Sequence, residues 1–290
     1  MPTAPLSAAS TAAQPARRTS VPPVDPLSYA PSARRPLRAK LRRLAAATRV
    51  EPHRHPWAQL AMSSTGVIRM SAARSTYIVP PSRALWIPPD VEHVVTVLED
   101  ADIRTLYVHP SALFLADGAA PALSPCAAWP DCRVLEVSPL LRELVPHLDT
   151  EPGATVASAR ERCIAALVLD ELRRAAPVRL GVDLPADKRL RQLCEAMLDH
   201  PTRWTTLDAW AGHIGASPRT VARLFRSELG SSFGQWRQQV LLAHALAMAA
   251  RKRPMASIAA ELGYASPSAF TAMVRRTVGQ PPSRFFATAA

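Results

Sequence analysis

The sequence predicts a multi-domain α+β fold, with a β-rich barrel or sandwich, then linking helices, then an all-α C-terminal domain built from two helix-turn-helix units. Three observations predict it. Short apolar runs broken by Pro, Gly, Ser and Asp crowd residues 51–136, apolar residues recur at helical spacing over 138–176, and one helical pattern occurs twice after residue 185. A chain of 290 residues, 48% of them hydrophobic, can supply two cores. The expected divisions are a disordered basic Pro/Ala/Arg-rich tail (1–50), the β domain (51–136), linking and dimerisation helices with a linker (137–184), and the helical domain (185–290).

Several function classes are excluded at once. No run reaches the ~18 uncharged apolar residues of a membrane span, and the N-terminus lacks the basic-then-apolar order of a secretory leader. The four cysteines (Cys126, Cys132, Cys163 and Cys194) are too few and too scattered for a disulfide framework. A reduced, cytoplasmic setting with no membrane partner is expected. The net charge is +12, from 35 Lys and Arg against 23 Asp and Glu, and it is divided unevenly: both ends are strongly basic and the middle is slightly acidic. A basic segment that can also fold points to a polyanion such as nucleic acid, and a solvated Arg-rich surface is the plainer alternative.

Taken in order, residues 1–50 carry eight prolines between Pro2 and Pro36, a composition too poor in buried apolar surface to offset chain entropy, so a disordered tail is expected. Within it, Leu37 to Leu44 has the composition of a short basic helix. Strands are expected near Gln59–Met62, Val67–Met70, Thr76–Val79, Ala84–Ile87, Val94–Leu98 and Ile103–Val108. Pro80, Pro81, Pro88 and Pro89 fall at the corners, where a missing N–H costs no ladder bond. Leu140, Leu141, Leu144, Val145 and Leu148 suit one helix; Ile164, Leu167, Val168 and Leu172 suit a longer one. Pro177 to Pro185 has the composition of a linker.

The repeat aligns Ala211-Gly-His-Ile-Gly215-Ala-Ser217-Pro218 with Ala259-Ala-Glu-Leu-Gly263-Tyr-Ala-Ser266-Pro267, and the match continues at constant offset to Gly230 and Gly279. Each copy has helix-turn-helix mechanics. Trp210 and Ile214, or Ile258 and Leu262, face inward on a short first helix, and Ala211 and Ala259 are small where a second helix crosses. Gly215 and Gly263 permit a left-handed turn. Ser217 and Ser266 are N-caps, with Pro218 and Pro267 at the first helical position. The second helix buries Val221, Leu224 and Phe225 in one copy and Phe270, Met273 and Val274 in the other. The opposite face carries Arg219, Thr220, Arg223 and Arg226 in the first copy, and Ser268, Thr271, Arg275 and Arg276 in the second. Arg can bond a guanine edge bidentately, and Ser or Thr can bond bases or phosphates. Early residues suit bases and later arginines suit phosphates. Phe233 to Ala250 should form one connecting helix of roughly 27 Å. With the bulk of each unit added, the two second helices (218–229 and 267–278) could then lie about one DNA turn apart, ~34 Å.

On these residues the chain resembles the AraC-type (AraC/XylS) transcription regulators over about 185–287. The resemblance rests on Ser217-Pro-Arg-Thr-Val-Ala-Arg-Leu-Phe-Arg, on Ile258-Ala-x-x-Leu-Gly-Tyr-x-Ser-Pro-Ser-x-Phe270, and on Gly279-Gln-Pro-Pro-Ser-Arg-Phe285. It implies recognition positions at Arg219, Ala222 and Arg223 and at Ser268, Thr271 and Ala272. Many members carry Arg where this chain has Ala272, so the second unit is expected to grip the backbone more than it reads bases. Further upstream, His53-Arg-His55-Pro-Trp57-Ala-Gln59-Leu60, Gly66-Val-Ile, and the stretch from Pro80 through Trp86 to His93 look like a cupin-type sensor barrel. The resemblance implies a regulator of transcription acting on double-stranded promoter or operator DNA, with a small-molecule effector in the barrel, a homodimer through the middle helices, and RNA polymerase as a further partner.

The barrel's chemistry has three readings. His53, His55, Gln59 and His93 fall where metal-binding cupins place three His and a Glu, and imidazoles suit a divalent metal. Gln59 removes the charge-balancing ligand, so no cofactor is required and a metal stays one alternative. The same residues with Trp57 and Trp86 could line an effector pocket, or the histidines could be structural. A cupin metalloenzyme anchored to DNA by its helical domain is the rival function, and a passive nucleoid-binding protein a weaker third. His109, His147, His200, His213 and His244 stand isolated, and no phosphate loop or nucleophile elbow is present.

Overall fold

A computed structural model describes residues 19–113, 129–178, 180–203, 206–213 and 215–286. Two six-stranded sheets make the N-terminal half. One runs in the order β1 (Thr19–Val21), β3 (Thr48–His53), β8 (His93–Val97), β5 (Ile68–Ala72), β6 (Ser75–Val79), β12 (Gly181–Asp183). The other runs β11 (Pro177–Val178), β10 (Arg133–Glu136), β7 (Arg83–Ile87), β4 (Ala58–Thr65), β9 (Ala101–Val108), β2 (Leu37–Leu44). All pairings are antiparallel except β1 with β3.

All six expected strands are present, and the four corner prolines lie outside them. Two expectations are corrected. The disordered tail stops short of residue 50, because residues 19–53 contribute β1, β2 and β3; residues 1–18 lie outside the described residues. Leu37–Leu44 is a strand, paired along its whole length with β9 from Leu37 opposite Val108 to Leu44 opposite Ala101. Its alternation explains this: Leu37 and Ala39 are buried under helices, and Arg38 and Lys40 point to the other face. The supposed linker is also structured. Its first residues add β11 to one sheet edge and its next add β12 to the other, so it ties the sheets together before the chain leaves the barrel.

The second sheet has two apolar faces. Leu60, Met62, Trp86 and Leu106 pack under α2 (Pro139–Leu144) and α3 (Ala159–Arg174), the two helices expected from spacing, through Leu141, Ile164, Val168 and Leu172. The alternate residues Ala61, Leu85, Ile87 and Ile103 meet Ile68, Met70, Val79, Val95 and Val97 of the first sheet. A short α1 (Pro110–Leu113) follows β9. Arg35 clamps the barrel to α3 and to the segment before it by its pairs with Glu161 and with Asp149, the latter at 2.8 Å.

The helical half comprises α4 (Lys188–Asp199), α5 (Leu207–His213), α6 (Pro218–Leu229), α7 (Phe233–Ala250), α8 (Met255–Glu261), α9 (Pro267–Val278) and α10 (Pro282–Phe285). The connecting helix has the bounds the sequence predicts, closed at its start by a Ser232–Gln235 capping box. From Val240 onward it is apolar nearly all round because it is packed on several sides: Val240 lies in the core of the first unit, Leu242 and Leu246 in that of the second, and Ala243 and Ala247 against Val67 and Ile78 of the barrel. Polar ties join the halves as well. Arg69 pairs with Asp199 at 2.6 Å, Arg251 pairs with Glu99, Trp236 Nε1 donates to the Asp183 carbonyl at 2.7 Å, and buried Arg83 lies 3.4 Å from Glu136 and donates to the Phe285 carbonyl at 3.3 Å. A cleft of about 680 Å³ remains between them. Among the described residues no helix is long and apolar enough to cross a membrane.

Candidate functional site

Both helix-turn-helix units assemble as their residues dictate. Gly215 and Gly263 have φ of 65° and 79°, the left-handed turn that a Cβ would strain. Ser217 Oγ accepts from the Thr220 N–H and Ser266 Oγ from the Ala269 N–H, each at 3.2 Å, with Pro218 and Pro267 beginning their helices. Trp210, Ala211, Val221 and Phe225 are buried in the first unit, and Ile258, Ala259, Leu262, Phe270, Met273 and Val274 in the second. Leu224 is only half-buried, at the edge of the first core, and Ile214 lies outside the described residues. Trp210, Phe225, Phe233 and Trp236 form an aromatic cluster with successive centroids 5.2–5.7 Å apart.

The opposite faces are free. Arg219, Thr220, Arg223 and Arg226 on α6 are exposed, as are Ser268, Arg275 and Arg276 on α9, and Thr271 is half-buried. None of these five arginines is held in an ion pair among the described residues. Their guanidinium donors therefore meet an incoming acceptor without first breaking an internal bond. On α9, Ser268, Thr271, Ala272, Arg275 and Arg276 line one open depression. Thr220 is the exception to this freedom, since its hydroxyl lies 2.9 Å from Ser217 Oγ.

The barrel holds a second cluster of candidate residues. His53, His55 and His93 come together, with ring centroids 4.3 Å apart for His53 and His93 and 5.3 Å for His55 and His93. Trp57 stacks on His55 at 5.4 Å, and Tyr107 meets His55 edge-on at 5.0 Å. Burial holds all three imidazoles below their ordinary pKa, His93 down to about 3, so they are neutral. Each Nδ1 faces a backbone carbonyl, of Glu51, Trp57 and Val91 respectively, at 2.8–3.0 Å, so each Nδ1 carries the proton. His55 Nε2 is then an acceptor. It lies 2.8 Å from the Gln59 side chain, whose amide must turn its NH₂ toward it. His93 Nε2 is buried without a partner.

This donor set does not fit a resident metal. Both nitrogens of His55 are committed to protein partners, Gln59 replaces a carboxylate, and among the described residues no three His, Cys, Asp or Glu side chains are arranged to hold an ion. Trp86 is a correction. It is opposite Leu60 on the outer face of its sheet, packed edge-on to Trp129 at 5.7 Å with Nε1 donating to the Trp129 carbonyl, on the far side from Gln59. Alternation from Gln59 and Leu60 would have shown this had the pairing of β4 with β7 been known. Residues the sequence reading missed are Lys40, Tyr107 and Tyr29, which joins Trp57 and Tyr107 in one aromatic group. Lys40 Nζ donates to the Tyr107 hydroxyl at 2.7 Å, and burial pushes its pKa down to about 8. Its place could have been seen only by reading 37–44 as an alternating strand. Cys132 and Cys163 stand as free thiols and Cys194 lies in the core; Cys126 lies outside the described residues.

Comparison with known proteins agrees with this geometry. An AraC-like ligand binding domain matches residues 39–194, and a helix-turn-helix domain matches 210–288. The chain belongs to the AraC-type transcription regulators. The HTH-type transcriptional regulator NimR of Escherichia coli (strain K12) is 32% identical over 235 residues, 81% of each chain. The arabinose operon regulatory protein of Salmonella typhimurium (strain LT2) is 29% identical over 116 residues, 39% of this chain and 41% of that one. Among solved structures, ToxT from Vibrio cholerae aligns over 87% of this chain and 98% of its own at 9% identity, with a TM-score of 0.35. As an AraC-type regulator the protein has a DNA-binding helix-turn-helix domain and a ligand-binding domain for a small-molecule effector.

Proposed function

We propose that α6 and α9 enter two successive major grooves on one face of the DNA, and that α6 does most of the base reading. The observation that carries this is the cationic face of α6: Arg219, Arg223 and Arg226 are exposed, without an ion pair among the described residues, opposite a buried apolar face. On α9 the early positions are Ser268, Thr271 and Ala272, so its arginines, Arg275 and Arg276, come late and grip phosphates. The effector occupies the barrel beside His55, Gln59 and His93, and the ties between the halves pass its effect to the DNA-binding units. Leu140 and Leu167, large apolar residues exposed on α2 and α3, favour a homodimer through those helices. Action in the cytoplasm with RNA polymerase, and no catalytic activity of its own, complete the reading.

Fluorescence anisotropy on the DNA upstream of the protein's own gene tests it. A preferred site bound at least 10³-fold more tightly than random DNA at physiological salt is expected. Equal and steeply salt-dependent affinity for all sequences would sink the specific reading.

A further inference from the structure

The polar interior of the barrel is unbalanced in charge. Lys40 projects from β2 into the group formed by His53, His55 and Tyr107, and its ammonium makes one hydrogen bond there, to the Tyr107 hydroxyl. Among the described residues no carboxylate pairs with it, and its charged neighbour is another cation, Arg42. The three imidazoles are neutral, so Lys40 is the cation that bonds into the group; Arg38, also on β2, lies 5.9 Å over the Tyr29 ring but donates to the Ala154 and Glu151 carbonyls. A donor in the same group also lacks a partner among the described residues, the buried Trp57 Nε1; the buried His93 Nε2, equally unpartnered, is an acceptor and calls for a donor on the ligand instead. A desolvated cation without a counter-ion and a buried N–H without an acceptor are both costly to a fold, and both are satisfied by one kind of group.

We infer that the barrel's effector is a small organic monocarboxylate, its carboxylate balanced by the Lys40 ammonium beside Tyr107. The Trp57 N–H offers a second donor, and the aromatic edges of Tyr107 and Trp57 flank the organic body. Arg38 and Arg42 flank Lys40 on β2 but are engaged by the carbonyls of Ala154 and Glu151 and of Pro22, so the one ammonium left to be balanced matches a monoanion better than a phosphate dianion. The inference rests on the effector-pocket reading above and deepens it by naming the ligand's charge.

The test is isothermal calorimetry on the full-length chain with matched pairs, benzoate against benzamide and hexanoate against hexanamide, with inorganic phosphate as a third arm. At least one carboxylate should bind ten-fold or more tightly than its amide. Lys40→Met should abolish that preference and Lys40→Arg should retain part of it, with unchanged circular dichroism in both variants. The inference is overturned by equal affinity for acid and amide in both pairs, by a preference that survives Lys40→Met, or by phosphate binding more tightly than either carboxylate. Amide binding that is lost in Gln59→Leu and indifferent to Lys40→Met would keep the pocket and remove the anion. No binding by any probe, with the protein folded, counts against both.

Discussion

The two halves of this regulator place their functional groups in opposite ways. In the helical half the core is apolar and the side chains proposed to meet DNA, Arg219, Arg223, Arg275 and Arg276, stand in water on the far face of their helices. In the barrel the side chains proposed to meet an effector are inside: His55, Gln59 and His93 are buried among rings, and Lys40 is half-buried with no counter-ion among the described residues. The difference teaches how stability and function are coupled. A solvated arginine costs the fold almost nothing, so its removal is felt only by DNA. A desolvated lysine costs the fold in the absence of ligand, so its removal should help the fold and harm binding.

The comparison can be broken first at the helical core. Phe225 is fully buried and touches Trp210, Phe233 and Trp236. Phe225→Ala should cost about 3–5 kcal/mol by chemical denaturation. A loss under ~1 kcal/mol would mean that the first unit takes its stability from elsewhere than its aromatic cluster.

The barrel should respond with the opposite sign. The pKa of Lys40 is about 8 in the fold, below the ordinary lysine value of 10.5. Between those values the unfolded chain binds more protons, so stability rises with pH across that window, and below pH 8 the full penalty is present. At ~1.4 kcal/mol per unit, discounted for partial exposure, Lys40→Met should stabilise the ligand-free protein by about 1–3 kcal/mol at pH 7. Thermal or urea melts of both proteins at pH 7 and pH 10 check this: the gain should shrink at the higher pH. A destabilised Lys40→Met protein would show that Tyr107 already compensates the charge.

A smaller effect separates the two recognition helices. Arg223→Ala should cost about 1–3 kcal/mol on the preferred site and relax the base preference there. Arg276→Ala should weaken binding to all sequences alike and reduce the salt slope by about one. Neither should move the melting curve, since both side chains are exposed and hold no ion pair among the described residues. Uniform losses from both would erase the distinction between a reading unit and a gripping one.

The same contrast decides what was legible in the sequence. The helical half signals locally: Gly215 and Gly263, the Ser-Pro caps and the apolar spacing of α6 and α9 each act within a few residues, so the free Arg faces could be placed from the chain alone. The barrel is non-local. Its strands were visible as short runs, but which face each residue takes depends on pairing between distant strands. Leu37–Leu44 pairs with β9, some sixty residues on, and that pairing, absent from any local window, brings Lys40 from a basic stretch of the supposed tail beside Tyr107. The same ignorance misplaced Trp86, whose position opposite Leu60 puts it under α2 and α3. The linker at 177–183 failed for a related reason, since two- and three-residue edge strands are fixed by the sheets they join and have little pattern of their own.

The smallest expected effect tests whether helix-end polar groups serve the fold alone. Ser217 and Ser266 cap α6 and α9 through the same 3.2 Å bond, so Ser217→Ala and Ser266→Ala should each cost about 1 kcal/mol in urea melts. Their effects on DNA should differ. Ser217 Oγ also engages the Thr220 hydroxyl, and the position equivalent to Thr220 in the second unit is Ala269. Removing Ser217 releases Thr220 at the groove-facing end of α6, so binding to the preferred site should change with Ser217→Ala beyond what the lost stability explains. Ser266→Ala should alter affinity only through stability. Identical binding curves for the two variants, at matched stability loss, would place Thr220 away from the DNA and leave Arg219 and Arg223 as the readers in that helix.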